Sequence, residues 1–294
     1  MKNYFLFFSV GFFLFSCQQD SGLLSPLYKL PDNLKEVSGI SYAPENHLVW
    51  VIEDSGNKNK IYALDQKGNV ANSLTIKKTK NIDWEEITKD GDGNLYIGDF
   101  GNNENVRKDL CIYKIAKAAL DNKTTAPIYK VSFSYPEQNE FPPKKKELLF
   151  DVESFFELKG NFYLFTKNRS KGFDGTTLLY RIPNKEGFHQ AKLLGKYKTG
   201  NDFDNYAITS AAISPDQSKV VLLSHSRIWL FENFKEDDFS SGKMCEFNLK
   251  HNSQKEGICF KDNDKLLIVD EKTKGNGGMV YEVSINNLKL KSKP

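Results

Sequence analysis

The chain has 294 residues, of which 39% are hydrophobic and 13% aromatic, with 20 Gly and a net charge of +3. Acids and bases are mixed along its whole length, which argues against a nucleic-acid binder with its basic face. The length suits one closed core and does not call for two unrelated domains.

Met1-Lys2-Asn3 is a short positive start, and Tyr4 to Phe15 is an apolar run too short for a membrane span. Leu14-Phe15-Ser16-Cys17 looks like a lipobox. We therefore expect a signal peptide at residues 1–16, then lipidated Cys17 with a polar tether through residue 23, and one domain over residues 24–294. The competing reading is an ordinary secretory signal that happens to contain Cys. Several acyl chains on one Cys hold a protein stably at a membrane, at roughly 0.8 kcal/mol per buried methylene. Gln18 after the Cys fits outer-membrane sorting in a Gram-negative envelope, on either membrane face.

From Leu24 onward short apolar runs alternate with turn signals. Blade one reads as strands over Ser38–Tyr42, Leu48–Ile52, Lys60–Leu64 and Val70–Ile76. Blade two reads as Glu86–Thr88, Leu95–Ile97, Leu110–Ile115 and Ile128–Tyr135. Asp90-Gly91-Asp92-Gly93-Asn94 is its first tight turn; it is no EF-hand loop, because the twelfth position is Gly101 and no helices flank it. Lys144-Lys145-Lys146, after Phe141-Pro142-Pro143, reads as a solvated loop. Blade three takes Val152–Leu158, Phe162–Phe165, Leu178–Ile182 and Lys192–Tyr197. Blade four takes Ile208–Ser214, Val220–Leu223, Ile228–Phe231 and Lys243–Leu249. Blade five has only Gly257–Phe260, Leu266–Val269 and Met279–Ile285. The orphan run Leu24–Leu30 is expected to supply its outer strand and so close a ring. The expectation is an all-β propeller of five four-stranded blades; six blades is the alternative if blade two hides further strands. No run reads as a long amphipathic helix. Cys111, Cys245 and Cys259 form neither a disulfide framework nor a zinc pattern and read as small apolar residues.

One phrase recurs at the start of the innermost strands, at intervals of roughly 45–70 residues. It runs Glu36-Val37-Ser38-Gly39-Ile40, Asp83-Trp84-Glu85-Glu86-Ile87, Asp151-Val152-Glu153-Ser154-Phe155, a weaker Thr209-Ser210-Ala211-Ala212-Ile213, and Lys255-Glu256-Gly257-Ile258. Its polar position places Ser38, Glu85, Glu153, Ala211 and Glu256 around the channel mouth. Three converging carboxylates need compensation. A hard divalent cation such as Ca2+, held by Glu85, Glu153 and Glu256, would provide it; so would a metal-free network with Lys167 and Arg107. The turns after the second strands add Asp54, Asp99, Lys167, His225, Asp270 and Glu271. Asp54, Asp99, Arg107, Lys167 and Glu271 are thus candidate ligand-binding residues. The nucleophile elbow, zinc-protease and phosphate-loop motifs are all missing. His225 or Asp99 is left as the candidate base, with a structural role the competing reading for a lone ring histidine.

These motifs resemble a bacterial β-propeller family, described as SdiA-regulated-like or "esterase-like activity of phytase". The matching stretches are the phrases above together with Asp54-Ser55-Gly56-Asn57, Gly98-Asp99-Phe100-Gly101-Asn102-Asn103 with Arg107, Thr166-Lys167, Ile208-Thr209-Ser210-Ala211, and Glu256-Gly257-Ile258 with Glu271. The resemblance implies a secreted or lipid-anchored propeller. The wider propeller group includes calcium-dependent lactonases and phosphotriesterases whose inner-strand Glu holds the metal, and Glu256 is similar to that residue. Two functions follow as expectations. The first is an envelope propeller, anchored through Cys17, that binds a ligand, a protein partner or a structural ion at its channel. The alternative is a calcium-dependent hydrolase of ester, lactone or phosphoester bonds.

Overall fold

The alternating apolar runs become strands, and the turns between them set antiparallel hairpins. The structure is a computed structural model and describes residues 22–273 and 276–291. The signal peptide and Cys17 lie outside the described residues. An entering strand β1 (Ser25–Lys29) precedes blade one, formed by β2 (Val37–Ala43), β3 (Leu48–Glu53), β4 (Lys60–Leu64) and β5 (Val70–Ile76). Blade two has β6 (Trp84–Lys89), β7 (Leu95–Asp99) and β8 (Cys111–Ile115); a two-residue β9 (Thr124–Thr125) then precedes β10 (Tyr129–Ser134). Blade three has β11 (Asp151–Leu158), β12 (Asn161–Lys167) and β13 (Thr176–Pro183); a short β14 (Gly187–Gln190) then precedes β15 (Lys192–Lys198). The one-turn helix α1 (Phe203–Tyr206) leads to blade four: β16 (Ser210–Ile213), β17 (Lys219–Leu223), β18 (Arg227–Glu232) and β19 (Lys243–Asn248). Blade five has β20 (Lys255–Phe260), β21 (Lys265–Asp270) and β22 (Met279–Ser284), followed by α2 (Ile285–Lys291).

β1 pairs antiparallel with β22, giving blade five the order β1-β22-β21-β20 and closing the ring with the N-terminal strand as expected. The number of blades is five; the sixth does not form, because the long insertions add to existing sheets. β9 pairs parallel with β5, and β14 pairs parallel with β10. Each covers the outer edge of a neighbouring blade, where unpaired backbone groups would otherwise invite association. Sequence reasoning missed both strands because two to four residues carry too little periodicity. It also missed α2, whose Ile285 and Leu288 dock on the apolar layer between blades four and five. Among the described residues no helix is long and apolar enough to cross a membrane.

The core is five apolar layers, one between each pair of adjacent blades. Successive residues serve opposite layers: Phe155 packs toward blade two and Phe156 toward blade four. Burial on both faces explains why these strands read as nearly continuous apolar runs. Cys111, Cys245 and Cys259 are free, with Cys245 on the outermost strand of blade four and Cys259 on the innermost of blade five. Asp90 accepts from the amides of Asp92 and Asn94 in a tight turn with Gly93 at φ +86°, as read from the sequence.

Candidate functional site at the channel mouth

A β-bulge opens the innermost strand of four blades. The ladder slips between Val37 and Gly39, Trp84 and Glu86, Val152 and Ser154, and Lys255 and Gly257. The unpaired residue in each case is the polar position of the recurring phrase: Ser38, Glu85, Glu153 or Glu256. A bulge re-aims the extra side chain and locally tightens the twist, and this is how the phrase delivers its polar group to the mouth. Blade four pairs without a slip. Ser38 Oγ donates to the carbonyl of Trp84 at 2.8 Å, and Thr209 Oγ1 makes the same bond to Lys255 at 2.7 Å. Thr209, not Ala211, is therefore the blade-four counterpart; without a bulge the phrase is displaced by two residues.

Below the mouth the channel is bridged by a residue that sequence reasoning left unassigned. Glu86 is buried and accepts from the amides of Ile40 (3.3 Å) and Ile87 (2.9 Å) and from Ser210 Oγ. Ser210 Oγ in turn accepts from the Ile258 amide at 2.9 Å. One carboxyl thus ties together blades one, two, four and five. Gly39 makes room for it, since a Cβ there would sit 2.7 Å from Glu86 Oε1. Burial pushes the Glu86 carboxyl well above the ordinary range. The adjacent Glu85–Glu86 pair was the available signal: a bulge lets two consecutive residues both serve the channel, one at the mouth and one deeper.

Above this bridge lies a cavity of about 250 Å³, lined among others by Asp54, Glu85, Glu153, Lys167, His225, Glu256 and Glu271. The structure thus brings together most of the residues singled out from the sequence. Asp99 and Arg107 are outside that lining. Asp99 is fully buried, and its Oδ1 accepts from Arg107 Nη2 at 2.9 Å and from the Asp83 amide at 3.1 Å. Arg107 also binds Asp109 at 3.0 Å and the Gly101 carbonyl at 2.8 Å. The two hold the Asp99–Asp109 loop in shape and are committed to each other.

The three glutamates have different environments. Glu153 lies between Lys167 Nζ, at 3.0 Å, and the Arg169 guanidinium. Burial pushes its carboxyl up to about 8 against the pull of these two cations. Burial opposes the charge on Lys167, but Glu153 and Glu256 hold it above the ordinary lysine value, so the groups titrate as a unit. Arg169, which was not foreseen, also binds Asp151 at 2.7 Å, and Asp151 accepts from the Asn102 amide at 2.7 Å. Glu256 faces His225 Nε2 at 3.3 Å; burial resists its ionisation, yet Lys167 and His225 keep it below the ordinary range. Glu85 differs from both. Its carboxylate has no hydrogen bond or ion pair among the described residues. Burial first, then Glu153, Asp54, Asp83 and Asp151, drive it well above the ordinary range.

Asp83, quoted in the phrase but not picked out from it, completes a cluster: oxygens of Asp54, Asp83 and Glu85 lie within 4.8 Å of one another. Burial, then Asp54, push Asp83 to about 7. Burial, then Glu256, push Glu271 to about 7 as well.

The family model described as SdiA-regulated matches residues 27–140, the segment that carries Asp54, Asp83 and Glu85. No curated protein matches. Among solved structures, one titled "Crystal structure of Nidogen/Laminin Complex" is similar at 12% identity and a TM-score of 0.47, over 84% of each chain. Another, "Structure of Dos1 propeller", is similar at 12% identity and a TM-score of 0.41, over 80% of this chain and 55% of that one. The match over residues 27–140 supports the SdiA-regulated family for this five-bladed propeller.

Proposed function

We propose that this chain is a lipid-anchored propeller of the cell envelope whose channel mouth binds a ligand, a partner or a structural ion. The observation that carries the reading is the mouth itself: a cavity of about 250 Å³, closed below by Glu86 and furnished by bulges that aim Ser38, Glu85, Glu153 and Glu256 into it. Its lining holds six carboxylates, those of Glu36, Asp54, Glu85, Glu153, Glu256 and Glu271, against the cations Lys167 and Arg169. Acidic groups in such excess over cations at one mouth favour an occupant that carries positive charge.

The topology supports a direction for the mouth. Lys255, at the mouth end of β20, pairs with Asp270, and β22 begins beside that end with Val280 opposite Val269. β1 runs from Ser25, opposite Glu282, to Lys29, opposite Met279, so it enters from the other face. A lipid anchor preceding β1 would thus join the ring from the face opposite the mouth.

A calcium-dependent hydrolase is the second reading, favoured by the 3.3 Å contact of His225 with Glu256 beside the cavity. There the carboxylate would orient the imidazole as a base.

A thermal-shift screen of amines and other organic cations, with small carboxylate, lactone and phosphoester ligands beside them, tests the primary reading. Stabilising amine hits should weaken in Glu256→Gln and Glu271→Gln. Hits that bind those variants as well as the native chain would place binding elsewhere and refute it.

A further inference from the structure

We propose that Asp54, Asp83 and Glu85 form a calcium site at the junction of blades one and two, a set that shares only Glu85 with the three glutamates of the recurring phrase. The proposal rests on the reading of the mouth as a binding site and specifies its chemistry. Asp54 follows β3, Asp83 precedes β6, and Glu85 is the bulge residue of β6. Oxygens from the three lie within 4.8 Å of one another. Calcium binds oxygen at 2.3–2.6 Å, so two ligands on one ion can be up to about 5 Å apart. All three donors are carboxylate oxygens, with no His or Cys in the cluster, which suits a hard cation over zinc or copper.

Two further observations point to an occupant. Glu85 is 6% exposed, yet its carboxylate has no hydrogen bond or ion pair among the described residues. A buried carboxylate without a partner is costly, and a cation is the partner that fits. The basic groups around it are already engaged: Arg107 with Asp99 and Asp109, Arg169 with Asp151 and Glu153, Lys167 with Glu153. Gly101 is the second observation. A Cβ at that position would lie 2.1 Å from Glu85 Oε1 and 2.4 Å from Asp83 Oδ2. The bare backbone leaves both oxygens free to converge. Asp54 and Glu85 also line the cavity, so an ion here would present its remaining positions to the space facing His225, Glu256 and Glu271.

Calorimetric titration of the EDTA-stripped full-length protein with calcium chloride tests the site, with circular dichroism confirming that each variant is folded. The expected result is one calcium per chain, with affinity about tenfold or more weaker in Asp83→Asn and Glu85→Gln, since ligand charge count sets calcium affinity. Glu153→Gln and Glu256→Gln should lose less affinity than Asp83→Asn and Glu85→Gln, since neither carboxylate belongs to the cluster. No uptake by the native protein would overturn the site, while hits in the ligand screen that respond to Glu256→Gln would leave the mouth reading intact. Loss in Glu153→Gln and Glu256→Gln with retention in Asp83→Asn and Glu85→Gln would also overturn it, assigning the ion to Glu153 and Glu256.

Discussion

Replacing Glu86 separates a structural carboxyl from the binding carboxylates above it. In Glu86→Leu the amides of Ile40 and Ile87 and the hydroxyl of Ser210 each lose their acceptor. A buried donor left unpaired costs about 1–3 kcal/mol, so three of them set a loss of roughly 3 kcal/mol at the low end. For a chain of this size 1 kcal/mol corresponds to just under about 2 °C in melting temperature, so the drop should be roughly 5–6 °C or more. Glu86→Gln keeps an acceptor oxygen for the two amides and offers an N–H to Ser210 Oγ. Because burial already disfavours the charged form, removing the charge should cost under about 1 kcal/mol. Differential scanning calorimetry of both variants is the assay. If Glu86→Gln were as damaging as Glu86→Leu, the oxygen acceptors alone would not hold the bridge, and the account of it as a hydrogen-bonded tie would be wrong. If Glu86→Leu melted like the native protein, the bridge would contribute nothing.

Other outcomes follow from the same geometry. The carboxyls of Asp83 and Glu271 sit near 7 in the folded chain, above their ordinary values. Folded protein therefore holds more protons than unfolded between about pH 4 and 7, and metal-free stability should fall as pH rises through that window. Melting curves across that range should show the fall; Glu271→Gln should flatten it, and a rise instead would refute the assignment. Gly101→Ala should weaken calcium binding about tenfold, because the new methyl displaces Glu85 and Asp83, while leaving the Glu86 bridge and most of the stability intact. Unchanged affinity in that variant, measured by titration, would mean the cluster does not hold the ion. Cys17→Ser should move the protein from the membrane to the soluble fraction on cell fractionation, whereas retention at the membrane would exclude the lipid anchor.

The ring was legible in the sequence because every strand buried on two faces leaves an apolar run bounded by Gly, Asn, Asp or Pro. Even the closing strand showed itself, as the one run, Leu24–Leu30, without a blade. The mouth was legible wherever a bulge preserved the phrase, and it failed in blade four, where the missing bulge put Thr209 and not Ala211 in register. Asp99 and Arg107 lie outside the cavity lining, and a strand-end acid and a loop arginine look the same in sequence whether they face a cavity or each other. Arg169 lies beyond a strand end, where no periodicity reports direction. Asp83 and Glu86 flank a residue that was chosen, and only the slip at Glu85 reveals that neighbours on both sides serve the channel.

The most direct test of a cation-binding mouth is anomalous diffraction from crystals grown with calcium. The account predicts a single strong peak coordinated by Asp54, Asp83 and Glu85, on the Gly101 side of the cavity. A mouth without a peak, or a peak held by Glu153 and Glu256 in place of Lys167, would contradict it.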